Sequence, residues 1–76
     1  MSSRVGYRRL ALLVVGEQVE YVAGNGDWRI EAMATVTREP GSTGVWIRLD
    51  TISVQGAKAD VAVGDEIIAG ATEVYK

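Results

Sequence analysis

The stretch Gln18-Val19-Glu20-Tyr21-Val22-Ala23-Gly24-Asn25-Gly26-Asp27-Trp28-Arg29-Ile30-Glu31-Ala32-Met33-Ala34-Thr35-Val36-Thr37 decides the fold. Its first six residues alternate, with Val19, Tyr21 and Ala23 on one face and Gln18, Glu20 and Val22 on the other, the period-two signature of a half-buried strand. Gly24-Asn25-Gly26-Asp27 then predicts a hairpin, because Asn-Gly tolerates the positive φ that a type I′ turn demands. The return strand spans Trp28 to Thr37, with Trp28, Ile30, Ala32, Ala34 and Val36 on one side, so Trp28 is expected in the core.

Outward from this hairpin, Arg38 to Gly44 contains one proline and two glycines and reads as an exposed loop. Val45 to Val54 is the third strand. Val45, Ile47 and Leu49 share a face before the apolar phase switches to Ile52 and Val54, which implies a bulge or bend near Asp50-Thr51. Such a bend turns a sheet towards closure. Gln55 to Asp60 is a connection, Val61 to Val63 a short extended piece, and Gly64-Asp65 a turn into the strand Glu66 to Ala69. Gly70-Ala71 is expected to reverse the chain into Thr72 to Tyr75 as a last hairpin. The fold class is therefore mainly β, a small SH3-like or partly open barrel of about five strands over residues 16–76. Residues 1–15 are a basic arm or a short helix, with Tyr7, Leu10, Ala11 and Val14 as the stripe such a helix would present.

Composition narrows the function. The chain has 76 residues, and a domain of that size buries only about 60 % of the surface its unfolded chain exposes. Small domains compensate with disulfides, metals or association. With no cysteine and no histidine in the sequence, association is the expected route, and homo-oligomerisation is its simplest form. The net charge of −2 argues against sequence-specific nucleic-acid binding, which needs a clustered positive field. Charge is nevertheless split: Arg4, Arg8 and Arg9 stand in a start without acids, while residues 17–76 hold five basic and ten acidic side chains. That split suits either an arm meeting an acidic neighbour or a solvated terminus. The longest apolar run, Leu10 to Val15, falls short of the ~18 residues of a membrane span. It is also short for a secretory signal and lacks a nearby small-residue cleavage site.

Catalytic candidates are few. Asp27, Asp50, Asp60, Asp65 and Glu66 could pair as carboxylates, but Asp27 and Asp65 sit in turns, where aspartate is favoured for local hydrogen bonding alone. Ser42 and Thr43 have no base in sequence reach, and Lys58 no recognisable partner. The glycine-rich turn lacks the following helix and lysine of a phosphate loop, and the tandem copies of a calcium β-roll. No enzyme activity, cofactor or metal site is expected. Trp46 alternates with Arg48 and Asp50 opposite the apolar face, which makes it either an interface anchor or a side chain packed under a loop.

The order of features carries a resemblance. Gly16-Glu17-Gln18-Val19-Glu20-Tyr21, the glycine turn, the strand Trp28 to Thr37, Val45-Trp46-Ile47-Arg48-Leu49-Asp50, Val63-Gly64-Asp65-Glu66-Ile67-Ile68 and Thr72-Glu73-Val74-Tyr75 together resemble the head-tail joining proteins of long-tailed phages. These are also called head-completion or stopper proteins. The resemblance implies a small barrel that assembles as a ring in the virion neck, binding other virion subunits between portal and tail. It places the protein in the virion or the host cytoplasm. The candidate interface is Arg4, Arg8, Arg9, Arg38, Trp46 and Arg48. The alternative expectation is a monomeric SH3-like adaptor or inhibitor with one protein partner, such as a phage-encoded inhibitor of host defence.

Overall fold

A computed structural model describes residues 10–76, and in them five antiparallel strands form one sheet that curls into a half-barrel. The strands are β1 (Gln18–Ala23), β2 (Ile30–Val36), β3 (Gly44–Gln55), β4 (Glu66–Gly70) and β5 (Val74–Tyr75), in the spatial order β4-β3-β2-β1-β5. The expected mainly β, SH3-like open barrel is what the chain adopts.

Alternation fixes which face is buried. Val19 and Tyr21 of β1, Ile30, Ala32, Ala34 and Val36 of β2, and Val45, Ile47 and Leu49 of β3 all point inward. Ala69 of β4 and Val74 of β5 complete the lining. Leu10 and Leu13 are buried in the same core, while Ala11 and Val14 are exposed. The expected stripe through Leu10, Ala11 and Val14 therefore does not form. Leu13 N–H donates to Leu10 O, and this three-residue spacing sends both leucines inward. Tyr7 lies outside the described residues.

The long strand β3 bends where its pattern changed phase. Its register against β2 shifts at two places, leaving Asp50 and Ser53 as extra residues. The first bulge puts Asp50 and Thr51 on the outer side and returns Ile52 to the core. The second turns Val54 outward again, so Ile52 and Val54 do not share the buried face. Each bulge raises local twist, which curls the sheet.

Two local expectations are corrected. The β1–β2 hairpin exists, but its loop is longer than a type I′ turn: Asn25 is extended at φ −152°, and Gly26–Trp28 form a short 3-10 turn. Gly24, at φ +70°, starts the detour, and a Cβ there would lie 2.4 Å from Trp28 O. The sheet pairing thus ends at Ala23 opposite Ile30, and Trp28 stays outside the strand, 60 % exposed rather than core. The second correction concerns the last two strands. They are not a hairpin, since β4 pairs with β3 and β5 with β1, at opposite edges of the sheet. Curling brings those edges close enough for Ala71 to Glu73 to step between them. Glu73 N–H donates to Gly70 O, Gly70 N–H donates to Glu73 Oε1, and Ala71 is buried.

Candidate interaction surface

On the outer face, Trp46 of β3 lies beside Ile68 of β4, and Arg38 follows the end of β2. The Arg38 guanidinium stands 4.8 Å from the centre of the Trp46 ring. Its Nη2 also donates to Glu66 Oε1 at 2.9 Å. A cation over an indole at an exposed site contributes about 0.5–1 kcal/mol, and an exposed ion pair ~1 kcal/mol at most. Together they hold the start of the 38–43 loop against the sheet. Trp46 is consequently half-buried, with Arg38 stacked on its ring. Ile68 beside it is 60 % exposed. Sequence reasoning passed over Ile68, although Ile67 and Ala69 facing inward require it to face out.

Arg48 joins the same face one pair further along, opposite Glu66 and Thr35. It donates from Nε to Asp50 Oδ1 at 3.2 Å. Thr35 Oγ1 donates to Asp50 Oδ2 at 2.5 Å. That hydroxyl bond, aided by Arg48 and only partly opposed by desolvation, holds the Asp50 carboxyl below its ordinary value. A carboxylate with a lowered native pKa stabilises the fold above its unfolded pKa, and the contribution disappears as the pH falls through the native one. Thr35→Val should therefore cost stability at neutral pH, and its difference from wild type should shrink as the solution is acidified below pH 3.8. Urea melts of both proteins across that range check this; a pH-independent difference rejects it. Elsewhere in the barrel, burial raises the Tyr21 phenol, and the Glu73 carboxylate adds to the effect.

The structure thus brings Arg38, Trp46 and Arg48 onto one face, each cation already matched with an acid. Arg4, Arg8 and Arg9 lie outside the described residues. The edge beside this surface is open. Gly70 N–H points away from β3, to Glu73, and alternation along an antiparallel pair then turns the Ile68 N–H and C=O to the same outer side. No strand pairs with that side among the described residues. Open edges of this kind are templates for a further chain.

Three of the five acids weighed as catalysts have local tasks. Asp65 Oδ2 accepts from Ala62 N–H within its own turn, Glu66 binds Arg38, and Asp50 binds Thr35 and Arg48. A shallow depression lined by Glu20, Glu31, Ala32, Met33, Thr51 and Ser53 measures about 140 Å³, below the ~300 Å³ at which ligand pockets begin, and an open one between Val14 and Pro40 measures about 420 Å³. Among the described residues no three metal-ligating side chains cluster, and no helix is long and apolar enough to cross a membrane.

No family model, curated protein or solved structure matches the chain.

Proposed function

We propose that this protein is a structural subunit of virion assembly, of the head-tail joining kind, that acts by binding other proteins and has no chemistry of its own. The observation that supports this best is the preformed Arg38–Trp46 stack beside exposed Ile68 on an open edge strand. An aromatic anchor whose rotamer is already held loses little entropy on docking, and Trp and Arg concentrate binding energy at interfaces. The small core gives association a second benefit, since partners that bind only the folded state stabilise it.

The test is the protein's mass in solution, alone and mixed with portal-side and tail-side neck proteins. A complex with at least one of them is expected, weakened roughly tenfold or more by Trp46→Ala. A strict monomer that binds neither rejects the proposal. The runner-up, a monomeric SH3-like adaptor or inhibitor, draws on the same stack, which a single chain completes without a second copy. Neighbouring portal and tail genes favour the first reading, and defence or regulatory genes the second.

A further inference from the structure

The outer border of β4 is closed at both ends and open between them. At Gly70 both backbone groups are taken, the N–H donating to Glu73 Oε1 at 2.8 Å and the carbonyl accepting from Glu73 N–H at 3.0 Å. At the other end Gly64, at φ +96°, and Asp65 together oppose Leu49: Gly64 N–H donates to Leu49 O, and Leu49 N–H to Asp65 O. Two residues against one, with a left-handed glycine first, make a bulge that twists the start of the strand out of line. Between these stops, alternation leaves Ile67 and Ala69 to bond β3 and turns the N–H and C=O of Glu66 and Ile68 outward. No described strand takes them.

This window lacks the usual blocks to strand addition. It has no proline and no lysine, and its one charge, Glu66, is drawn over the sheet onto Arg38, which itself lies on the Trp46 ring. Its remaining side chains are apolar on both sides: Ile68 is exposed outward, and Ile67 packs on the core while staying partly open. A strand laid along the window would cover both, since adjacent strands run about 4.8 Å apart. Charge describes the occupant further. Asp65 and Glu73 stand at the two stops, each accepting a backbone N–H and neither joined to a cation among the described residues. Glu39, on the loop leading into Gly44, adds negative charge at the Gly70 end. The cations nearby are matched, Arg38 with Glu66 and Arg48 with Asp50. Lys58 and Asp60 belong farther along, where Lys58 N–H bonds to Asp27 O and Gln55 Nε2 donates to Ala59 O and Val61 O on either side of Asp60.

We propose that the Glu66–Ala69 window takes up an extended segment of another protein as an added edge strand, apolar in its middle and basic at its two ends, where it faces Asp65 and Glu73. That the segment comes from another protein rests on the assembly reading; the outward backbone groups, the apolar strip and the carboxylates at its ends define its chemistry. Main-chain bonds hold a segment bound in this way, and alternate side chains select it.

The probe is a capped synthetic peptide, Lys-Val-Ile-Val-Thr-Lys, added to isotope-labelled protein and followed by amide hydrogen exchange. In the free protein the amides of Glu66 and Ile68 should exchange much faster than those of Ile67 and Ala69, and millimolar peptide should slow them roughly tenfold or more. The same peptide with its inner amides N-methylated should leave them unprotected, and a version with glutamate at both ends should bind roughly tenfold more weakly. Ile68→Pro removes an outward donor and no bond to β3, a place where edge strands tolerate proline. It should weaken peptide binding roughly tenfold more than Ile68→Ala does. The N-methylated probe keeps the test valid even where the proline variant fails to fold. Amides that stay unprotected at millimolar peptide, or that the N-methylated form protects equally, overturn strand addition and leave the Trp46 face to carry assembly. Equal binding of the glutamate-ended peptide overturns the basic ends. Protection that rises with protein concentration alone means that a second copy fills the window, and overturns the foreign strand. Portal-side and tail-side proteins that fail to bind while the peptide still protects both amides reject the assembly reading and leave the window standing.

Discussion

Gly56→Ala should remove a large share of the protein's stability, although residue 56 lies in a connection and belongs to no strand. A Cβ at this position would fall 2.2 Å from Asp27 O and 2.3 Å from Asp27 C, both backbone atoms that no side-chain rotation can move. The β3–β4 connection would have to lift from the β1–β2 loop. That movement breaks two backbone bonds, Gly56 N–H to Arg29 O and Lys58 N–H to Asp27 O. Overpacking costs about 1–3 kcal/mol, and each bond contributes ~1 kcal/mol, so a loss of roughly 3–5 kcal/mol is expected. Domains hold about 0.05–0.15 kcal/mol per residue, which for this chain is ~4–11 kcal/mol in total. Gly41→Ala is the control, since its Cβ would meet only Gly44 O at 3.7 Å, an ordinary contact. Urea denaturation of the two variants separates them. If Gly56→Ala shifts the midpoint no further than Gly41→Ala, the close approach of the two loops is not a support of the fold.

That same approach explains what the sequence could and could not reveal. Period-two alternation depends on neighbours along the chain, so β1 was legible to its ends, and the phase slip after Leu49 located the bulge at Asp50. Trp28 was misplaced because alternation, extended backwards from Ile30, has no way of detecting that Gly24 and the docked connection end the ladder early. The last two strands failed for a related reason. Gly70-Ala71 carries the local marks of a reversal, but whether the following strand pairs backwards or crosses to the far edge depends on the curl of the whole sheet. That curl is set by the two bulges in β3, one of which, at Ser53, left no mark in the apolar pattern because Val54 is hydrophobic on either face. On the candidate surface, Trp46 and Arg48 were legible through their position opposite the apolar face of β3, and Arg38 as the first residue of an exposed loop. The acid that meets Arg38 was not, since Glu66 lies 28 positions away, and neither was the Thr35 hydroxyl that meets Asp50 across 15, spacings that only strand register determines.

Ile47→Ala should be the most damaging single truncation in the core, costing about 3–4 kcal/mol within the 2–5 kcal/mol range for such changes. Ile47 has no exposed surface and sits in the middle of the sheet, paired with Val36 on one side and Ile67 on the other. Its surroundings have little capacity to collapse into the vacated space. The inward residues of neighbouring β2 include Ala32 and Ala34, which have no side-chain length to swing, and the chain contains no phenylalanine to reorient. Ile47→Val, which removes one methylene, should cost only about 0.5–1.5 kcal/mol. The contrast that matters most is with Ile68→Ala on the outer face of β4. Ile68 is 60 % exposed, and substitutions at such positions usually fall within about 0.5 kcal/mol of neutral. Chemical denaturation should therefore rank Ile47→Ala far below wild type and Ile68→Ala beside it. Partner binding, measured well below both unfolding midpoints, should reverse the order: Ile68→Ala weakens it together with Trp46→Ala, whereas Ile47→Val leaves it unchanged. Equal destabilisation by the two alanine variants would mean that Ile68 is covered within the folded chain, and the outer face of β3 and β4 would then lose its standing as the binding surface.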